Sequence, residues 1–284
     1  MSTPERAAPG RVHDDAALTQ RLPMAKIFAT TLAGTAAISA VMLQIHWDGV
    51  QGSTAASKID TLLDVMIVLS SFVFSLVMTM LVYALWKFRA KPGDEGDGEP
   101  IHGNTRLEVA WTVIPTVIVL FGAGYSWSVL SSIEERHPGY MNVNVYSQQY
   151  AWNFSYPGPD KFSRGVLHVP VDRQVVFSLH ALDVIHSFWV PEWRIKKDNV
   201  PGITTQAVVT PDRLGTYQVI CTELCGFGHS TMRAEVVVES QQDFQKWLSK
   251  LPKPPPQYTG DGGSDTGPSG GPQSAPAATG TAGA

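Results

Sequence analysis

Cys221 and Cys225 are the two cysteines of the 284-residue chain, and they stand four positions apart. The same stretch supplies a histidine and a methionine, in the spacing C-x-E-x-C-x3-H-x2-M that runs from Cys221 through Glu223, Cys225 and His229 to Met232. Two thiolates, an imidazole and a thioether are soft to borderline ligands, and together they favour copper over magnesium or calcium. Strand-like runs flank the stretch, residues 217–220 before it and 234–238 after it. Gly226 and Gly228 argue for a loop between them. A blue-copper loop takes one cysteine, one histidine and a weak methionine. With two cysteines, both thiolates can bridge a pair of copper ions, and a second histidine must then come from elsewhere. A buried thiol pair or a disulfide would leave His229 and Met232 unexplained. A C-x3-C copper chaperone needs no methionine three residues after the histidine.

The loop resembles the dinuclear copper A site of subunit II of respiratory haem-copper oxidases, and is similar also to the copper A loop of nitrous oxide reductase. Cupredoxins likewise hold copper in a loop joining two strands of a β-sandwich. The rest of the chain has to choose between these.

Hydrophobic residues make up 44% of the sequence, an average that hides a sharp division between apolar runs and polar regions. A net charge of -4 points away from a nucleic-acid partner. Residues 1–22 are polar and rich in Ala, Pro and charge, a composition expected to be disordered. Arg6, Arg11, Arg21 and Lys26 precede an apolar run over 27–45. The segment 23–46 reads either as a transmembrane helix or as the core of a signal peptide, with Ala37-Ile38-Ser39 a weak cleavage candidate. After a polar connection at 48–60 come two longer runs, 62–86 and 109–133, which read as a membrane hairpin over 62–133. Lys87, Arg89, Lys91 and Arg106 place the hairpin loop, with its acidic stretch at 94–99, in the cytoplasm. Everything after residue 133 then lies outside, whether or not the first run is cleaved. Trp86, Trp111 and Trp127 suit a membrane interface.

Short β-type runs at 142–146, 174–179, 205–209 and 217–220 predict an all-β sandwich over 140–250, closed by a short helix at 243–248. The fold class is therefore a membrane α-helical hairpin, with an N-terminal third helix or signal peptide, followed by a cupredoxin-like sandwich. From Pro252 to the end the Pro, Gly, Ser, Thr and Ala content predicts a disordered tail, and no C-x-x-C-H haem-attachment motif occurs in it.

The resemblance to oxidase subunit II covers roughly residues 62–248 and carries roles onto particular residues. His186, in D-V-x-H-S-x-W-x-P, is the second imidazole. Cys221 and Cys225 would bridge the two coppers, His186 and Met232 would complete one ion, and His229 with the backbone carbonyl of Glu223 the other. The Glu223 side chain would help bind magnesium at the contact with subunit I. Glu108, in E-x-x-W-T-x-x-P, corresponds to the glutamate at the mouth of a proton path. Read from the residues alone, Glu108 is a membrane-edge carboxylate. The aromatic stretch 149–156 corresponds to the cluster that receives electrons from cytochrome c, but Tyr150 stands where the family has its entry tryptophan, and Trp152 follows two residues on. Strand alternation predicts that both rings point the same way; Tyr150 is favoured as the entry and Trp152 as packed support. Glu192-Trp193-Arg194 departs from the small, apolar family pattern, and Arg194, Lys196 and Lys197 read as a basic patch ill suited to a strongly basic cytochrome.

The resemblance thus implies a subunit of a bacterial membrane oxidase, multi-pass, with its copper domain outside. Its partners would be subunit I, cytochrome c or a similar donor, and lipid. Nitrous oxide reductase would need a propeller domain for which the chain lacks length. A copper-delivery protein would bind copper reversibly. Quinol oxidase subunits share the fold but not the copper ligands.

Overall fold

The computed structural model describes residues 23–45, 49–90, 92–93 and 102–258. The expectations of a disordered segment at 1–22, an acidic loop at 94–99 and a tail beyond 258 lie outside the described residues. Among the described residues three helices are long and apolar enough to cross a membrane: α1 (Met24–Met42), α2 (Thr54–Lys87) and α3 (Thr105–Glu134). The described residues fall into two compact units. One holds α1 with the parts of α2 and α3 between Leu62 and Gly122; the other holds the β-domain with residues 49–61 and the end of α3 from Ala123.

Within the first unit, α1 buries Ile27, Thr31 and Ser39. Gly34 lies so close to α2 that an added Cβ would stand 3.1 Å from Ser75 Oγ, and Ser71 and Ser75 are themselves buried. Small residues at a helix crossing let the backbones approach, the usual device of membrane helices. By contrast, α3 buries none of its residues within the chain. Its start is capped reciprocally: the Asn104 side-chain carbonyl accepts from the N–H groups of Arg106 and Leu107, and the Glu108 carboxylate accepts from the Asn104 N–H at 3.1 Å.

Helix α2 starts well before its apolar run, so the polar connection expected at 48–60 is helical from Thr54. Ser53 Oγ accepts from the Ala56 N–H at 3.1 Å and caps the helix. At about 1.5 Å per residue, its 34 residues exceed the roughly 30 Å apolar thickness of a bilayer. Its polar first turns therefore need no lipid; they belong to the β-domain unit.

That domain is a sandwich of two five-stranded sheets. The first, in the order β3-β2-β1-β5-β8, uses β1 (Met141–Gln148), β2 (Ala151–Tyr156), β3 (Lys161–Arg164), β5 (Val175–Ala181) and β8 (Thr205–Val209). The second, β4-β10-β9-β6-β7, uses β4 (Val166–Pro170), β6 (His186–Val190), β7 (Ile195–Asn199), β9 (Gly215–Cys221) and β10 (Arg233–Glu239). Pairings β1–β5 and β4–β10 are parallel and the others antiparallel. Trp152, Phe154, Phe177, Phe188 and Trp193 are fully buried between the sheets, and Cys221, Cys225 and Met232 belong to the same core. Helix α4 (Gln241–Ser249), capped by Ser240, closes one end through Phe244 and Leu248.

Residues 49–61 are built into this domain. The Gly52 N–H donates to Glu192 O at 2.8 Å, Ser53 Oγ donates to Trp193 O at 3.0 Å, and the Thr54 N–H to Thr210 O at 3.0 Å. The Arg194 guanidinium, its side chain 6% exposed, reaches both Asp60 oxygens at 2.8 and 2.9 Å. Arg194 is thus turned inward, and the expected basic patch reduces to Lys196 and Lys197, which are exposed on β7. The expectation of disorder from Pro252 also fails over 252–258. Tyr258 is buried, stacks on Phe162 at 4.7 Å and meets Tyr146 edge-on, because a large aromatic in a Pro-rich segment can still bury its ring.

Candidate metal centre

Register brings the two sulfur- and nitrogen-bearing segments together. Strands β6 and β9 pair with Phe188 opposite Cys221, and the Thr222 N–H donates to Ser187 O at 3.2 Å. His186, at the start of β6, therefore meets the end of β9. After Cys221 the chain leaves the sheet, makes one 3-10 turn at His229–Thr231, and re-enters as β10 just after Met232. The expected loop is thus irregular with a single tight turn.

Six candidate donor atoms converge. Cys221 Sγ lies 3.8 Å from Cys225 Sγ, 3.9 Å from His186 Nδ1 and 3.3 Å from the Glu223 carbonyl oxygen. Cys225 Sγ lies 3.7 Å from His229 Nδ1 and 3.8 Å from Met232 Sδ. The sulfurs are too far apart for a disulfide, whose S–S bond is about 2.05 Å, and both cysteines are free. Metal–thiolate bonds of about 2.3 Å let two sulfurs at 3.8 Å touch the same ion. The atoms of His186, Cys221 and Cys225 all lie within 4.8 Å of one another, and all three residues are buried. The donor set fits a soft metal: thiolates, imidazoles and a thioether, with one neutral carbonyl.

Two residues without an assigned role in the sequence hold this arrangement. Asp183 Oδ1 accepts from His186 Nε2 at 2.8 Å, which leaves Nδ1 with its lone pair toward Cys221. This is the carboxylate–imidazole support that fixes a ligand's tautomer and orientation. Asp183 also accepts from the N–H groups of Gln149 (2.6 Å) and Val184 (2.7 Å). Burial pushes its carboxyl up, but the hydrogen bonds from His186, Gln149 and Val184 win and hold it below the usual carboxylate value. Gln149 Nε2 donates to the Cys225 carbonyl at 2.6 Å, so one residue ties the His186 segment to the cysteine loop. The aspartate of D-V-x-H, three residues before a candidate ligand, was the available signal for Asp183. Gln149 had none. Burial, and then the neighbouring Cys221, push the Cys225 thiol up to about 11.

Tyr150 and Trp152 do not share a face. Strand β2 begins at Ala151, and Tyr150 lies in the turn before it, so the alternation expected of a strand does not apply. Tyr150 is 41% exposed and Trp152 1%. The Tyr150 ring lies over the loop of candidate ligands: a Cβ on Gly228 would meet ring atoms at 2.6 Å, and one on Gly226 would meet Tyr150 Oη at 2.7 Å. Gly226 also takes φ +128°, which L side chains rarely adopt. Trp152 meets His186 from the interior, ring centroids 6.2 Å apart and tilted by 63°. The Glu223 side chain is exposed, and so is Glu108, which caps the start of α3, far along the chain from these groups.

The chain matches family models described as cytochrome C oxidase subunit II, periplasmic domain, over residues 161–241, and cytochrome C oxidase subunit II, transmembrane domain, over 41–129. A cytochrome c oxidase subunit 2 of Thermostichus vulcanus is 33% identical over 251 residues, covering 69% of this chain and 76% of the relative. That of Synechocystis sp. is 33% identical over 247 residues, covering 70% and 74%. A quinol oxidase subunit 2 of Bacillus spizizenii is 30% identical over 197 residues, covering 66% and 61%.

Proposed function

Since the chain belongs to the cytochrome c oxidase subunit II family, part of a haem-copper oxidoreductase complex, we propose that it carries a dinuclear copper A centre. In this reading it takes electrons from cytochrome c or a similar external donor. It passes them to haem in subunit I, where oxygen is reduced to water with proton pumping. The observation that carries the proposal is the convergence of the six donor atoms from two segments separated by 35 residues.

Cys221 and Cys225 would hold both ions, His186 and Met232 one, and His229 with the Glu223 carbonyl the other. When bound, the centre would supply one-electron chemistry. What the chain itself contributes is rigidity: ligands on or beside paired strands, His186 oriented by Asp183, and the loop pinned by Gln149. Tyr150, exposed and lying on that loop, is the favoured electron entry, with Trp152 as buried support. Glu223 would bind magnesium toward subunit I, and Glu108 would stand at the entry of a proton path once its capping contact is released. Residues 140–250 would form the copper domain on the outer side of a bacterial cell membrane, with a multi-pass anchor. The close packing of Gly34 against Ser75 supports α1 as a retained third membrane helix. A quinol-oxidising subunit, the reading the Bacillus relative would favour, has no use for this complete donor set.

The test uses the full chain in mild detergent, loaded with copper. Two coppers per chain are expected, with a paramagnetic resonance signal from one electron shared equally over both nuclei. A single-copper, blue-type spectrum at full occupancy would refute the dinuclear centre.

A further inference from the structure

The segments that meet at Tyr150 carry exposed apolar side chains. Phe227 is fully exposed, and Leu182, Val184 and Ile185 are each 38–45% exposed. These residues form one face, because the Gln149 N–H binds Asp183 and the Tyr150 ring lies over the glycines on either side of Phe227. Segments 149–150, 182–185 and 226–230 contain no lysine or arginine. Their one carboxylate, Asp183, already accepts from three N–H groups. Four candidate ligands, His186, Cys221, Cys225 and Met232, are buried, so a redox partner can approach only over such a rim.

We propose that this face docks an electron donor whose own redox edge is apolar and uncharged, a small haem or copper protein rather than a strongly basic cytochrome. The proposal rests on the copper A reading above. A basic donor is recruited by a field of carboxylates, and these three segments offer only Asp183. Without such a field association is unsteered, at about 10⁵–10⁶ M⁻¹s⁻¹, and nearly independent of salt. Desolvation of Phe227 and its neighbours supplies the affinity. In the docked pair the donor loses one electron and the copper pair gains it; no bond or proton moves.

The experiment uses the intact oxidase, immobilised, with two probes: a cytochrome c with a strongly basic haem edge and one with an apolar, uncharged haem edge. The affinity of the apolar probe should change less than about twofold between about 0.01 M and 1 M salt, although the Debye length falls from about 30 Å to 3 Å. Leu182→Glu and Phe227→Ser should each weaken it by about tenfold, with the copper spectrum and co-purifying subunit I retained. Tighter binding of the basic probe that collapses with salt would overturn the proposal, as would unchanged affinity in both variants. Loss of subunit I from the Leu182→Glu oxidase would assign the face to that subunit instead. Failure of the underlying copper reading shows separately, as absence of the copper spectrum from the unmodified oxidase.

Discussion

The loop from Cys221 to Met232 and the segment 49–61 are both fastened to the same β-domain, and they are fastened in opposite ways. The loop gathers its donors locally: four of the five candidate side chains lie within twelve positions, and only His186 comes from another strand. The segment 49–61 has no chemistry of its own, and the contacts that tie it to the sandwich span long stretches of chain, such as the 134 residues between Asp60 and Arg194. The loop determines which metal can bind. The segment joins the start of α2 to the turn that follows β6, the strand carrying His186. Reactive identity here is short-range, whereas mechanical anchoring is long-range.

Substitutions can break that division. The largest effect is expected from Cys225→Ser, since a hydroxyl cannot bridge as a thiolate does; copper per chain and the visible spectrum should both show loss of the dinuclear site. Asp60→Ala should come next. It removes the carboxylate that meets the Arg194 guanidinium, 6% exposed, at 2.8 and 2.9 Å. Because Asp60 is itself 25% exposed, the cost should fall below that of a fully buried pair, at about 2–3 kcal/mol in thermal melts. Copper stoichiometry should be unchanged, and an Asp60 variant that folded normally but lost copper would erase the distinction between anchor and site.

Asp183→Ala should act on the metal and barely on the fold. Loss of a carboxylate that orients a ligand imidazole weakens metal affinity by about 10–100-fold, readable by competition with a copper chelator. Met232→Leu should be milder still, because a thioether is a weak ligand and mainly tunes potential; complete loss of copper from that variant would reverse the ranking.

The smallest effect concerns pH. With the Cys225 thiol held up to about 11, mainly by burial, it is protonated at neutral pH in the copper-free protein. Copper binding must expel that proton, so affinity should rise with pH and uptake should acidify a weakly buffered solution. The same shift favours folding of the copper-free form below the unfolded thiol value near 9, and that contribution is lost as pH rises toward 11. Asp183 acts at the other end: its lowered carboxyl contributes stability above about 3.8 that is lost as pH falls through its folded value.

By itself the sequence determined the classes of element and the donor types. Apolar runs of membrane length, the alternating β-runs and the C-x-E-x-C-x3-H-x2-M spacing are short-range patterns, and each residue's neighbours along the chain suffice to read them. Other features were out of reach. Arg194 looked like surface charge because its partner Asp60 lies in a segment read as a connection. Tyr258 looked like part of a tail because its ring-mates, Phe162 and Tyr146, lie about a hundred positions away. Strand alternation predicts that Tyr150 and Trp152 point the same way, but it does not extend across the turn that holds Tyr150. The support that Asp183 and Gln149 give the site appears only when β1, β6 and the loop after β9 are brought together. The tertiary structure decided these points, because a side chain's burial and partners depend on which distant segments pack against it, and local periodicity carries no record of that choice.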